Sequence, residues 1–523
     1  MTIRPSDRLI ARKVKRLREG ASPRFMDLFA GCGGLSLGFL TAGFTPVASV
    51  EFDAWAAASH GANFGRFSAG HNPEGHHKSR DITQEDPESI FDDLNIKGKV
   101  DDQVDVLVGG PPCQAFARVG RAKLRHEARR LQLDDAENAF LVDGRVDLWQ
   151  RYLHYVRQTR PVALLMENVP DILNHGGVNV AETVAEHLRI EGYRISYTLL
   201  NAAWYGVPQI RERMFLIGVH ESLGNDPVFP APTHHAVLPS GYVGTRATAR
   251  KHILTNGEND HFWIDDPEAD SGYPKATSAV EALADLPPIF AAQDLEAGKL
   301  RRGRKDPSEP CIYTRRTPGT AWSRLMRRWP GFATGNQTTG HVIRFLPRDY
   351  KIFQFMEEGW QYPDVWKYIE EERKKIELVR QKKGLPTDKR TAEGRAFHRE
   401  WTLPYDPDKF PNKWWKLDRN RPVRTLMAHL GKDSYSHIHF DSEQARPISV
   451  REAARLQSFP DGFVFAGSMN PAFRQIGNAV PPLLAYAIAM ALRESIGCNA
   501  IDDIRVTLLG LESTLIRTTA GRK

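Results

Sequence analysis

Cys113 follows the run Val104-Asp105-Val106-Leu107-Val108-Gly109-Gly110-Pro111-Pro112 and precedes Gln114-Ala115-Phe116. An apolar, β-branched stretch ends in two glycines and two prolines, and a thiol comes directly after. Glycine lets a ligand approach the backbone, and proline stiffens the turn. A thiolate held there is placed to attack an electrophilic carbon and to leave again. Buried free cysteines also serve as small apolar side chains, so the run alone leaves the two readings even. The four cysteines, Cys32, Cys113, Cys311 and Cys498, include no pair at metal-ligand spacing. That argues against a zinc site or a disulfide framework and fits a reducing compartment.

The elements that would position Cys113 can be read from the apolar runs. Six of them, at 25–29, 46–50, 104–108, 162–166, 195–200 and 214–219, alternate with helical patterns such as 148–156 and 180–188. A further strand is expected before Asp81-Ile82. Near-continuous apolar strands between helices predict an α/β fold, a doubly wound and mostly parallel sheet covered on both faces. Ligands of such sheets sit at the carboxyl ends of the strands. There the sequence places Phe29-Ala30-Gly31-Cys32-Gly33-Gly34, then Glu51, Asp81-Ile82, Cys113 and Glu167-Asn168-Val169. A glycine loop, three acidic residues and a thiol on one edge favour an active site.

The glycine loop departs from the dinucleotide fingerprint, because Ser36 stands at the third glycine position. A loop without a pyrophosphate cradle, followed by a carboxylate suited to two ribose hydroxyls, points to a nucleoside cofactor. S-adenosylmethionine fits that description. A nicotinamide-dependent oxidoreductase is disfavoured by the same serine.

Six ordered blocks resemble the DNA (cytosine-5)-methyltransferase family of prokaryotic type. They are residues 25–34, Pro111-Pro112-Cys113-Gln114, Glu167-Asn168-Val169, Gln209-Ile210-Arg211-Glu212-Arg213, the run 451–460 and Gln475-Ile476-Gly477-Asn478-Ala479-Val480-Pro481. The resemblance covers about 24–220 and 421–492. It implies that Cys113 adds to carbon 6 of a cytosine rotated out of duplex DNA, and that Glu167 protonates N3. Such an acid needs a raised pKa, as burial would give. Arg211 and Arg213 would brace the glutamate and contact the base, Arg213 being the base contact; strand alternation would put both on one face. In the cofactor site Phe29 would stack on adenine, Glu51 would hold the ribose and Asp81 would accept the adenine amine. Gly31, Gly33 and Gly34 would approach the methionine moiety, with Cys32, Phe52, Ile82, Pro112, Asn478 and Val480 around them. Asn478 also matches a family asparagine that orders the cysteine loop. The family's usual serine after Phe116 is Ala117 here, which puts one loop contact in doubt. The basic loop 118–130 beyond it would close over phosphates, although a solvated charged helix reads equally well.

The expected organisation is a basic N-terminal arm (1–23), the first part of the catalytic domain (24–221) and a target-recognition domain (222–445). A hinge helix with a return to the catalytic domain (446–498) and a tail (499–523) complete it. In the middle, Lys299, Arg301, Arg302, Arg304 and Lys305 precede Arg315, Arg316, Arg324, Arg327 and Arg328, with Trp322, Trp329, Phe332 and Trp360 interleaved. That mixture suggests contacts to phosphates and bases. A helix is expected over 364–383, with Val365, Ile369, Ile376 and Val379 on one stripe and Glu370/Lys374 and Glu371/Lys375 as i,i+4 pairs. The hinge helix 450–457 would pack the recognition lobe on the catalytic one, and the helix 483–492 would cover the cofactor end of the sheet. His76, His77, His234 and His235 read as surface residues, with no metal site. The net charge of +7 permits a polyanionic partner.

Arg4, Arg8, Arg12, Lys13, Lys15, Arg16 and Arg18 at the N-terminus enclose no signal-peptide core, and no apolar run is read as crossing a bilayer. The expected setting is therefore a cytoplasmic monomer on double-stranded DNA, without a membrane, beside a partner restriction or defence nuclease. Two other readings are a tRNA cytosine-5 methyltransferase and a catalytically silent DNA-binding regulator. The basic middle lobe, without the Cys-Phe-Thr word of the tRNA branch, opposes the first. The presence of Cys113, Glu167, Arg211 and Arg213 opposes the second. Bisulfite sequencing of DNA from cells expressing the protein should show protected cytosines in one sequence context, and a Cys113→Ala control should show none. Identical patterns in the two would defeat the reading.

Overall fold

Six strands form one sheet in the order β2-β1-β3-β4-β6-β5. They are Arg24–Leu28 (β1), Thr45–Val50 (β2), Val106–Gly109 (β3), Ala163–Asn168 (β4), Tyr193–Asn201 (β5) and Glu212–His220 (β6). β1 pairs in parallel with β2 and β3, and β3 with β4, while β6 runs antiparallel to β4 and β5. The expected doubly wound sheet is present, with one reversed strand. This computed structural model describes residues 5–68, 72–112, 147–175, 178–255, 262–267, 269, 271–302, 307–431 and 436–513. Cys113, Ala117, the loop 118–130, Arg304, Lys305 and the end of the tail lie outside the described residues.

The strands are apolar throughout because both faces are covered. Alternate side chains go to opposite layers. Phe25, Val106, Val108, Leu165, Phe215 and Ile217 enter one core, with Leu35, Leu37, Phe39 and the helix Pro482–Ser495. Met26, Leu28, Leu107, Leu164, Met166 and Leu216 enter the other, with the helices Asp147–Thr159 and Val180–Ile190. The helix Pro482–Ser495 lies on the helix Gly34–Thr41 rather than on the sheet's cofactor end. The two backbones approach so closely that a Cβ on Gly38 would sit 2.5 Å from Ala485. The stretch Met469–Ser495 is apolar enough to cross a membrane by composition, but 89% of its most apolar 18-residue window is buried inside the fold. It is a core element, broken into two helices before Pro482.

Several expectations change. The strand expected before Asp81 is absent: a 3-10 turn, Pro73–His77, occupies that stretch. The chain meets β2 through one bond, from Arg80 N–H to the Glu51 carbonyl at 2.7 Å. The basic N-terminal segment forms the helix Pro5–Arg18, which buries Leu9, Ile10, Val14 and Leu17. Its Lys13 ammonium donates to the carbonyls of Val104 (2.6 Å), Thr159 (3.1 Å) and Arg160 (2.8 Å). It thereby ties the helix to the amino edge of the sheet. His76 and His234 are buried, not exposed.

Trp322, Trp329 and Phe332 are 2%, 0% and 3% exposed and belong to the core. They hold the middle segment to the rest of the fold and present no face to a base. Trp360 is half-buried against a separate cluster built on Tyr350, Phe353, Tyr362, Val365, Ile369 and Trp414. Arg327 is buried as well, with its guanidinium 3.8 Å over the Tyr313 ring. Lys299, Arg301, Arg302, Arg315, Arg316 and Arg328 are exposed. The long helix spans Tyr362–Lys382, and Val365 and Ile369 are its buried stripe. Its ion pairs are Glu370 with Arg373 and Glu372 with Lys375, at i,i+3 rather than i,i+4.

One polar cluster interrupts the core under the glycine loop. Ser36 donates to Asp27 Oδ2 at 2.6 Å and meets His60 Nε2 at 2.9 Å; His60 Nδ1 meets Ser49 at 3.2 Å. Burial pushes Asp27 up to about 7, although the Ser36 bond pulls the other way, and pushes His60 down to about 3. A raised carboxyl pKa stabilises the fold fully below its ordinary value of 3.8, and that stabilisation is lost as pH rises through about 7. His60 works in the opposite sense, so the useful quantity is a difference between variants. Asp27→Asn still accepts from Ser36. The stability of the parent minus that of the variant should fall by on the order of 2–4 kcal/mol between pH 4 and pH 8. Urea denaturation at the two pH values measures it, and a pH-independent difference would contradict the account.

Candidate active site

β3 and β4 end side by side. Gly109 pairs with Met166, so the next residues, Gly110 and Glu167, lie abreast. A Cβ on Gly110 would come 2.8 Å from Glu167 Oε2, so glycine is what leaves the carboxylate its place. Glu167 Oε1 pairs with Arg213 Nε at 2.9 Å, the two side chains being 15% and 13% exposed. Arg213 opposes Leu200 in the β5–β6 register, next to the Asn168–Met214 pair that ends β4. Burial pushes the Glu167 carboxyl above its ordinary range, while the positive charges of Arg213 and Arg211 pull it down. The direction is the one expected of an acid that works near neutrality.

Arg211 precedes β6, so strand alternation does not govern it. Among the described residues Arg213 alone forms an ion pair with Glu167. Arg211 is buried and sends its two terminal nitrogens to distant carbonyls, Leu426 and Gly477, each at 2.9 Å. Gly477 immediately precedes Asn478, which is exposed at the end of the helix Met469–Asn478. Gln209 does similar work. Its Oε1 accepts from Leu426 N–H at 2.9 Å, and its Nε2 donates to the Leu456 carbonyl at 3.2 Å and to Gln457. Gln457 in turn donates to the Ala479 carbonyl. Sequence reasoning did not single out Gln209 or Gln457, nor Asn168, which donates to the Pro111 carbonyl at 3.0 Å. All three stand inside the matching blocks without an assigned role, and each supplies an amide of the kind a buried polar tie requires.

The cofactor residues surround the end of β1. Phe29 and Gly31 both have positive φ, 58° and 56°, and a Cβ on Gly31 would meet nothing within 4 Å. The other two glycines answer to the protein. A Cβ on Gly33 would strike the Phe64 ring at 2.2 Å, and one on Gly34 the Val480 carbonyl at 2.2 Å. The close approach expected at a ligand is therefore open at Gly31 only. Cys32 is buried, its thiol 3.8 Å from the Gln475 carbonyl, and burial raises its pKa far beyond the useful range. Cys32 reads as packing.

Glu51 was expected to offer both oxygens to a ribose. Each already accepts a backbone N–H, Oε2 from Gly31 at 2.8 Å and Oε1 from Asp53 at 2.7 Å. A carboxylate has further lone pairs, so one site on each oxygen remains. Asp53 caps the next helix and pairs with Arg474 at 2.6 Å. Between these fixed residues the Phe52 ring is 76% exposed. Asp81 spends Oδ1 on Thr83, accepting from its N–H at 2.9 Å and its hydroxyl at 2.7 Å; Oδ2 stands outside that turn. Ile82 is buried beside it, and Pro112 is exposed after the buried Pro111. The donor set is acidic, with two aromatic faces and no cation on the loop. It suits an uncharged nucleoside carrying a cationic group and not a pyrophosphate. Among the described residues no group of three His, Cys, Asp or Glu side chains is arranged to hold a metal.

The comparisons agree with this chemistry. Residues 23–494 match the family model described as C-5 cytosine-specific DNA methylase. A putative type II methyltransferase of Oceanobacillus iheyensis is 36% identical, over 91% of this chain and 97% of the relative. A type II methyltransferase of Thalassovita gelatinovora is 30% identical, over 90% and 99%. The crystal structure of a putative DNA modification methyltransferase encoded within an Escherichia coli prophage shares the fold, with a TM-score of 0.55 and 23% identity over 91% of this chain and 99% of that one. With the strand-end acid, the paired arginine and the nucleoside-type loop in one place, the chain belongs to the C-5 cytosine-specific DNA methylase family.

Proposed function

We propose that this DNA cytosine-5-methyltransferase works through a covalent adduct between Cys113 and carbon 6 of a cytosine extruded from a duplex. The observation that carries the reading is the Glu167–Arg213 pair set against Gly110, three residues before Cys113. Carbon 5 of cytosine is a poor nucleophile. Addition of the Cys113 thiolate at carbon 6 pushes an electron pair into the ring, and Glu167 gives its proton to N3. Arg213 holds the resulting carboxylate and faces the base. S-adenosylmethionine, held by Phe29, Gly31, Glu51, Phe52 and Asp81, supplies the sulfonium methyl that carbon 5 accepts. Loss of the carbon-5 proton to water then re-forms the carbon 5–carbon 6 double bond and expels the Cys113 thiolate from carbon 6, and N3 returns its proton to the Glu167 carboxylate. A stacked base cannot reach a thiol at a strand end, so the target must leave the duplex. The type II relatives support marking of DNA within a restriction-modification or defence system; a partner nuclease and a monomeric enzyme complete the proposal.

Glu167→Gln keeps the shape and removes the proton. Single-turnover transfer of radiolabelled methyl to DNA should fall by about 10²–10⁴-fold, the usual range for a general acid. S-adenosylmethionine binding, followed by calorimetry, should stay near that of the parent. A parental transfer rate in the variant would remove Glu167 from the mechanism.

A further inference from the structure

We infer that Asn168 is a positioning residue for the nucleophile, clamping the turn that leads to Cys113; the inference rests on the reading of Cys113 as nucleophile. β3 and β4 are a parallel ladder up to Gly109 and Met166. Beyond that point the backbone cannot continue it. Pro111 and Pro112 have no N–H, and on the facing chain Pro170 has none either. The Pro111 carbonyl is thus left at a buried position without a ladder donor, a costly state for a backbone acceptor. Asn168, 3% exposed, fills the gap: its Nδ2 donates to the Pro111 carbonyl at 3.0 Å. Its Oδ1 accepts from Val169 N–H at 2.9 Å, which takes up the nearest backbone donor.

Both ends of one amide are therefore used, and the residue type follows. Serine offers one atom where two are needed. Aspartate offers two acceptors when ionised and turns one toward a carbonyl oxygen. Only the amide gives an acceptor to Val169 and a donor to Pro111 without a charge. Asn168 is also bonded directly to Glu167, so one dipeptide at the end of β4 carries the acid and the tie to the nucleophile's turn. A shift in Pro111 moves the turn that precedes the nucleophile relative to the acid on the facing strand.

The test uses DNA carrying 5-fluorocytosine at the target. Its carbon–fluorine bond blocks the final elimination, so the covalent protein–DNA adduct accumulates and its formation rate can be read on a denaturing gel. Asn168→Ala should form adduct about 100-fold more slowly, as expected when a reacting group is misplaced by about 1 Å. Its dissociation constant for S-adenosylmethionine and its melting temperature should stay near those of the parent. Asn168→Asp adds a signature that a merely structural role would not give. Its protonated carboxyl can donate to Pro111, so its adduct rate relative to the parent at the same pH should rise as pH falls from about 8 to about 6, within the range of a buried carboxyl. Parental adduct rates in Asn168→Ala, or a pH-independent ratio for Asn168→Asp, overturn the clamp. If Asn168→Ala fails to fold, the Asn168→Asp ratio alone decides. Adduct formed by Cys113→Ser would instead sink the nucleophile reading, which separates the two failures.

Discussion

Taking a carboxyl out of water disfavours its charged form, and a nearby guanidinium restores it. Glu167 sits between these two pressures, and the surrounding architecture can be read as the means of holding it there. β4 carries it to the carboxyl edge of the sheet, where a parallel neighbour ends in glycine and leaves room. β6 is the one reversed strand, and its reversal brings the start of that strand, with Arg213, to the same edge. A sheet with β6 parallel would present the strand's other end, Val219-His220, at this place. The reversed strand thus joins topology directly to the proposed acid chemistry.

The second consequence concerns chain closure. Arg211 and Gln209 reach chain more than 200 residues distant, at Leu426, Leu456 and Gly477. Buried amides and guanidinium groups are costly unless satisfied, and once satisfied they specify one arrangement. These ties fix the segment after the middle lobe and the segment before Asn478 to the strand that carries Arg213. Arg446 with Glu452, and Arg455 with Asp285 and Asp461, continue the buried polar network through the helix Val450–Leu456. The middle of the chain is in this way mechanically joined to the strand that bears Arg213.

Much of this was legible in the sequence. Apolar runs gave all six strands to within two residues at each end; the antiparallel sense of β6 was not visible, since an apolar run carries no direction. The expected strand before Asp81 failed because Pro73, Gly75 and two histidines make a tight turn there. The place of Glu167 at a strand end was legible from the apolar run before it, whereas its role as an acid came from the resemblance alone. Trp322, Trp329 and Phe332 misled, because aromatic residues between arginines are equally the core of an irregular segment, and only burial separates the two. Lys13 was read as part of a basic arm. One cation inside an amphipathic pattern can serve three carbonyls, and charge counting does not show that.

The glycine loop shows how the residues of one motif can answer to different neighbours. Three glycines suggest three points of contact with a ligand. Gly33 and Gly34 instead leave room for Phe64 and for the Val480 carbonyl, so they let the helix Gly34–Thr41 seat against the returning chain. Gly31 alone keeps open space on its side-chain face, and its N–H orients Glu51. The loop's chemistry then comes from carboxylates and aromatic rings rather than from backbone donors free to cradle phosphate. A pyrophosphate would meet the carboxylates of Glu51 and Asp81. A nucleoside bearing a sulfonium meets acceptors for its hydroxyls, a flat ring for its base and negative charge for its cation. Ser36 belongs to the same logic. Where a dinucleotide loop needs glycine for close helix–strand packing, this chain places a hydroxyl that ties Asp27 to His60 beneath the loop, and the distinction from the dinucleotide fold lies in that buried bond.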